Sequence, residues 1–152
     1  MIKKAVFPGS FDPITKGHES IIKRSLDLFD VIYVAIGINT SKKYLFPLED
    51  RKSWIEKTFA DEEKIKIITY DTLTTKLCES LGAKYILRGL RNTTDFNFEC
   101  SIAQTNRVIV PGIETIFMVT DVEQSAINSN IVRDIYIHGG DINPFIPDAV
   151  DI

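Results

Sequence analysis

The sequence predicts an α/β fold in which a doubly wound, five-stranded parallel sheet carries helices on both faces. Three observations lead there. Short β-branched or aromatic runs alternate with longer helical patterns along the chain, and the second run is apolar at successive rather than alternate positions. No Pro/Gly/Ser-rich linker or internal repeat separates the pieces. A continuously apolar strand is buried on both sides, the mark of a parallel sheet covered by crossover helices. The arrangement expected is Rossmann-like, one domain over residues 1–152, with ligands bound at the carboxyl ends of the strands.

Five strands are read from Ala5 to Phe7, Val31 to Ile38, Ile65 to Thr69, Tyr85 to Leu87 and Thr115 to Val119. Between the first two, Ile21, Ile22, Ser25, Leu26 and Phe29 share one helical face. Leu48, Trp54, Ile55 and Phe59 mark a second helix, and Leu73, Leu77 and Leu81 a third that Gly82 stops as the residue after the cap. A fourth helix is expected from about Asp95 to Val108, and a fifth from about Asn128 to Ile137, ended by Gly139-Gly140. The segment Asn143 to Asp148 holds two prolines and is expected to pack as an irregular cap.

Composition narrows the function before any motif does. The chain has 152 residues, 44% of them hydrophobic, enough to bury a core without cross-links. Lys and Arg number 18 against 21 Asp and Glu, a net charge of −3 that provides no broad basic face for nucleic acid or a lipid surface. Any polyanion site must therefore be local. The longest apolar run, Val31 to Ile38, is too short to span a bilayer, and Met1-Ile2-Lys3-Lys4 lacks the pattern of a signal peptide, so a cytoplasmic protein is expected. Cys78 and Cys100 read as reduced, half-buried thiols on amphipathic helices. Neither has the spacing of a zinc site with His18 or His138.

The two commonest phosphate-binding glycine patterns are missing: there is no G-x-G-x-x-G after the first strand and no G-x-x-x-x-G-K-[ST]. The first strand runs instead into Pro8-Gly9-Ser10-Phe11-Asp12-Pro13-Ile14-Thr15-Lys16-Gly17-His18 and on into a helix. Gly9 allows close approach of a ligand to backbone, and Ser10 offers a hydroxyl. Gly17-His18 stands at a helix N-terminus, where free N–H groups and the dipole favour an anion.

This loop resembles the signature of the nucleotidyltransferase superfamily, whose members carry a T/H-x-G-H motif after the first strand. Within it the chain is most similar to the bacterial phosphopantetheine adenylyltransferase family. The resemblance extends through Thr40-Ser41-Lys42-Lys43, Arg88-Gly89-Leu90-Arg91, Asp95-Phe96 with Glu99, Asn106-Arg107 and Ile127-Asn128-Ser129. Singly, Arg88, Arg91, Glu99 and Lys42 would read as ordinary surface residues; their occurrence together, after predicted strands, is what gives them meaning.

The resemblance implies transfer of the adenylyl group of ATP to 4′-phosphopantetheine, giving dephospho-coenzyme A and pyrophosphate, with Mg2+ held mainly by the ATP phosphates and no metal ligand assigned in the protein. The nucleophile is then itself a phosphate, largely dianionic near neutral pH, so attack needs no general base and no covalent enzyme intermediate. Cations and N–H groups must bring two anions together in line. By matching motifs, His18, Lys42 and Arg91 are the catalytic set, and Ser10, Lys42, Thr74 and Arg88 hold the phosphopantetheine side. ATP is assigned to Ser10, Phe11, His18, Gly89, Leu90, Arg91 and Glu99, and to Gln124, Ser125, Ala126, Ile127, Asn128, Ser129 and Asn130. The resemblance also implies a homohexamer, with Phe96, Phe98 and Tyr136 read either as core or as interface, and feedback inhibition by coenzyme A.

The chain departs from the family pattern in three places. Asn128-Ser129-Asn130 stands where three serines are common, although Asn can still cap a helix and leave its N–H groups to bind phosphate. Gln124 replaces a frequent aromatic residue, and Ser10 a frequent threonine. Related nucleotidyltransferases that act on nicotinamide mononucleotide, or on glycerol phosphate with CTP, usually carry a second histidine where this chain has Thr15. A non-catalytic nucleotide-binding module is the alternative of a different class, and the intact His18, Lys42 and Arg91 weigh against it.

Overall fold

The computed structural model describes residues 1–152. Five strands, β1 (Lys4–Gly9), β2 (Val31–Gly37), β3 (Ile65–Tyr70), β4 (Tyr85–Leu90) and β5 (Glu114–Val119), alternate with α1 (Lys16–Arg24), α2 (Leu48–Thr58), α3 (Thr74–Leu81) and α4 (Thr93–Ile109), and α5 (Ser129–Ile137) follows. The sheet runs β3-β2-β1-β4-β5 with every pair parallel. From β1 the chain winds outward to β3, then returns to the other side of β1 for β4 and β5. The two directions of winding part between β1 and β4, where an open α/β sheet leaves a crevice at its carboxyl edge.

Alternation along β1 sorts the core into two layers. Ala5 and Phe7 face a larger cluster with Ile21 and Ile22 of α1, Trp54 and Ile55 of α2 and Val132 of α5; Val6 faces a smaller one with Ala35, Cys78 of α3, Ala83 and Ile113. Helices α1, α2 and α5 thus cover one face, and α3 with the end of α4 the other. Ile142, Ile146 and Val150 of the C-terminal segment close the larger cluster, and a short 3-10 turn at Asn143–Phe145 is the one regular piece in that expected cap.

Several boundaries differ from the sequence reading. Helix α1 stops at Arg24, because the Ser25 hydroxyl donates back to the Ile21 carbonyl at 2.7 Å and the chain turns; Ser25 and Phe29 keep their burial from irregular backbone. Strand β4 runs on to Leu90, since Arg88, Gly89 and Leu90 pair with Phe117, Met118 and Val119 of β5; Arg88 therefore lies within the strand. Strand β2 ends at Gly37 rather than Ile38. Gly82 ends α3 at φ +64°, a left-handed position that glycine takes without strain. Cys78 is completely buried, not half-buried, and burial pushes its thiol up to about 11, so it stays protonated, whereas Cys100 is half-buried as expected. No helix is long and apolar enough to cross a membrane.

Candidate active site

At the carboxyl edge of β1 and β4 a cleft opens in two lobes, of about 410 and about 910 Å³. The smaller lobe lies against the N-termini of α1 and α5 and is lined by Phe11, His18, Gly89, Arg91, Ile127, Asn128, Ser129, Asn130 and Arg133. The larger runs toward β2, β3 and α4, past Tyr44, Tyr70, Leu73, Thr74, Ile102 and Asn106. Both lobes share Pro8, Gly9, Ser10, Lys42, Arg88 and Glu99, so two of the expected cations, Lys42 and Arg88, stand where the lobes meet, and Arg91 lines the smaller lobe alone.

The loop after β1 builds the junction. Gly9 has no side chain because the Phe11 ring occupies that space: a Cβ there would come within 3.1 Å of it. Phe11 itself is buried at φ 49° and packs its ring 5.1 Å from that of His18. Thr15 caps α1, its hydroxyl accepting from the His18 N–H, while the Thr15 N–H donates to His18 Nδ1 at 3.0 Å. A ring whose Nδ1 accepts from backbone carries its proton on Nε2. Desolvation, then the charges of Arg88 and Arg91, hold the His18 pKa down at about 4. At neutral pH the residue is thus an uncharged imidazole that donates from Nε2.

Arg88 is fixed from two sides. Its Nε and Nη2 bind both oxygens of the buried Glu99 carboxylate at 3.0 and 2.7 Å, and its Nη1 donates to the Pro8 carbonyl at 2.6 Å. Arg91 is held by Asp95 in the same forked manner, at 2.9 and 3.1 Å, and the Arg91 N–H adds a third bond. Burial alone would raise the Asp95 carboxyl, but the hydrogen bonds and charge of Arg91, with the charge of Arg88, outweigh it and keep it below the ordinary carboxylate range. Lys42, in the exposed loop after β2, donates to the Ser10 hydroxyl at 3.0 Å, so it closes the junction from the opposite side.

Asn128 caps α5, its side-chain oxygen accepting from the Ile131 N–H at 2.9 Å. The function expected of a serine there is therefore met by an amide. The Ser129 hydroxyl donates to the Pro13 carbonyl at 3.1 Å, tying α5 to the first loop. Thr74 opens α3 and shares a 2.9 Å hydrogen bond with the Tyr70 hydroxyl on the wall of the larger lobe. Other expected contacts lie differently. Leu90, Gln124, Ser125 and Ala126 do not line either lobe; the Leu90 carbonyl is taken by Thr120, and Gln124 keeps a buried side-chain oxygen without a partner. Glu99 lines both lobes, but its carboxylate is occupied by Arg88.

Three residues that organise the site escaped the sequence reading. Asp12 accepts the N–H groups of Leu45 and Phe46, joining the two loops, and Arg133 donates to the Asp12 carbonyl at 2.8 Å and to the Asn130 side chain. Arg51 of α2 lies buried beneath both loops, bonded to the Ser10 and Phe46 carbonyls. Asp12 could have been singled out from its place inside the signature loop. An arginine on an amphipathic helix gives no such signal.

The architecture and the sequence point to one group of known proteins. Residues 6–135 match the family model described as cytidylyltransferase-like. Among curated proteins, the phosphopantetheine adenylyltransferases of Flavobacterium psychrophilum and Flavobacterium johnsoniae are each 55% identical over 99% of this chain and 99% of their own. That of Cytophaga hutchinsonii is 43% identical over 97% of this chain and 98% of its own. A solved bifunctional NMN adenylyltransferase/ADP ribose pyrophosphatase from Francisella tularensis superposes with a TM-score of 0.73 at 20% identity, covering 98% of this chain and 46% of that one, a likeness of fold alone. A histidine on a capped helix, two clamped arginines and a lysine arranged around a β1 loop are thus found in a chain whose sequence matches its relatives from end to end, and it belongs to the phosphopantetheine adenylyltransferase family of the cytidylyltransferase-like nucleotidyltransferases.

Proposed function

We propose that the protein transfers the adenylyl group of ATP to 4′-phosphopantetheine, releasing dephospho-coenzyme A and pyrophosphate. The observation that carries this reading is the two-lobed cleft whose lobes join at Ser10, Lys42 and Arg88. Two substrates that must meet phosphate to phosphate need such a shape. The smaller lobe, with two helix N-termini, His18 and Arg91, suits a nucleotide triphosphate. The larger, partly apolar lobe ending at Thr74 and Asn106 suits a long neutral arm with amide groups.

In this scheme an oxygen of the acceptor phosphate attacks the α-phosphorus in line, and the bond from that phosphorus to the oxygen bridging to the β-phosphate breaks as pyrophosphate leaves. Lys42, Arg88 and the Ser10 hydroxyl hold the attacking phosphate. The Nε2–H of His18, with Arg91, donates to the non-bridging oxygens of the α-phosphate as charge builds there. The Glu99 and Asp95 clamps keep both guanidiniums at fixed angles, which limits the reorganisation needed at the transition state.

Asp12, Asp95 and Glu99 are already engaged by N–H or guanidinium groups, and no cluster of three metal-ligating side chains occurs. The reading takes Mg2+ to be held mainly by the ATP phosphates, whose charge it would balance. The reading extends to a homohexamer, to inhibition by coenzyme A, which carries the same pantetheine arm as the acceptor, and to a cytoplasmic enzyme.

The test is pyrophosphate release by the purified chain with Mg2+, comparing ATP with CTP and phosphopantetheine with nicotinamide mononucleotide and glycerol phosphate. Turnover with ATP and phosphopantetheine alone is the expected result. Turnover with another pair, or binding of ATP with no turnover at all, would replace this reading.

A further inference from the structure

Arg51 is the one buried guanidinium of the cleft region that neither lobe exposes. It is 3% accessible and pairs with no carboxylate. Its Nη1 donates to the Ser10 carbonyl at 2.7 Å, its Nε donates to the Phe46 carbonyl at 3.0 Å, and its guanidinium carbon lies 4.1 Å from the centre of the Tyr44 ring. The same short segment is gripped from the other side by Asp12, which accepts the N–H groups of Leu45 and Phe46 at 2.9 Å each. Tyr44 in turn accepts from the Asn39 N–H and donates to the Gly37 carbonyl at the end of β2. A buried cation without an anion costs a fold several kcal/mol, so packing that an apolar residue could supply does not account for it.

The partners of Arg51 are the neighbours of Lys42. Lys42 Nζ sits 3.0 Å from the Ser10 hydroxyl and 5.4 Å from the Tyr44 ring, and Arg51 fixes the backbone of the first and the face of the second. Lys42 itself is on an exposed loop and has no other anchor for its long side chain. We propose that Arg51 is a positioning residue for the reaction: from beneath the cleft it locks the Tyr44-Leu45-Phe46 segment to the Ser10 loop, and so sets where Lys42 meets the acceptor phosphate. This rests on the adenylyl-transfer reading above. It requires planarity, two donors on separate edges and a stackable face, which lysine lacks.

The experiment compares wild type, Arg51→Lys, Arg51→Ala and Lys42→Ala, together with Arg51→Lys in the Lys42→Ala background, by pyrophosphate release and by amide hydrogen exchange. Arg51→Lys is expected to lower kcat/KM for phosphopantetheine by about 10- to 100-fold while the KM for ATP changes by less than about threefold, because misplacing one charged group costs rate without disturbing the other lobe. In the Lys42→Ala background the same substitution is expected to cost less than about threefold, as two residues acting through one another are not additive. Exchange should quicken by about tenfold or more over residues 39–46 and remain unchanged in β1, β2 and β4.

Equal losses for both substrates, a full second loss in the Lys42→Ala background, or unchanged exchange in residues 39–46 would each overturn the proposal. Should Arg51→Ala fail to fold, Arg51→Lys carries the test, and Tyr44→Leu, which removes the stacked ring from the outside, should give the same pattern at smaller size. Absence of turnover in the wild type would count against the functional reading, whereas the exchange result judges the clamp independently of activity.

Discussion

At Nδ1 of His18 a proton is opposed by geometry as well as by burial: that nitrogen already accepts from the Thr15 N–H, and protonation would set two N–H groups against each other. The folded pKa of about 4 therefore lies below the ordinary value of 6.5. The unfolded chain binds this proton more readily, so the folded state loses stability as pH falls from 6.5 through 4, and the contribution is constant above 6.5. Urea unfolding followed across that window should show His18→Ala with a flatter acid slope than wild type. The same variant is expected to lower kcat by about 100-fold or more and to change ATP affinity by less than about threefold, since in the proposed scheme the Nε2–H bond strengthens only as charge develops on the α-phosphate. A parallel loss of ATP affinity in calorimetry would show that His18 acts in ground-state binding instead. Arg88 illustrates a second point at this scale. As a residue it is a cation in a strand; its usefulness comes from Glu99, one turn and a half into the next helix, which the sequence reading had assigned to the nucleotide.

Among the elements, α5 shows how a departure from a family pattern can leave a helix end intact. Asn128 accepts the Ile131 N–H through its amide oxygen, and the extended backbone at φ −144° is that of an N-cap. Asn128→Ser should leave thermal stability nearly unchanged, whereas Asn128→Ala should cost about 1 kcal/mol and weaken nucleotide binding, because the free N–H groups at the helix start lose their fixed orientation. Thermal melting with and without ATP measures both effects. The α3 ending at Gly82 follows the same local chemistry and was readable from residue types, whereas the Thr15–His18 capping box of α1 emerged only from the structure. The end of α1 and the length of β4 were not readable either. Helix α1 ends where a buried serine turns its hydroxyl onto its own helix, and β4 continues because β5 offers backbone partners to Arg88, Gly89 and Leu90. Periodicity carries neither fact.

For the whole molecule, the strand order brings the first loop, the β2 loop and the end of β4 together, so that segments some eighty residues apart form one junction, as in the bond from Arg88 to the Pro8 carbonyl. It also leaves apolar side chains of α4 and β5 open to solvent. Helix α4 spans 17 residues yet buries only Glu99, and Phe98, Val108 and Val119 are 67%, 82% and 71% exposed. Exposed apolar side chains on these elements fit the proposed self-association. Sedimentation should give sixfold the monomer mass for wild type, and Phe98→Glu with Val108→Glu should shift it to smaller species while the far-ultraviolet circular dichroism is retained. A monomeric wild type at micromolar concentration would dismiss the hexamer. Phe96 and Tyr136, read as either core or interface, turn out half-exposed, each packing one edge on Phe117 or Phe46. The five strands, the parallel class of their sheet and the loop that carries His18 into α1 were determined by the sequence alone, because period, caps and turn residues act over a few positions. Only the tertiary structure decided that Glu99 serves Arg88 and that Arg51 sits unpaired beneath the Lys42 loop, whereas Arg91 and Asp95 meet four residues apart. The first depends on how α4 packs back on β4 and the second on how α2 meets the two loops, and a charged residue carries no local trace of the distant partner that folding will bring to it.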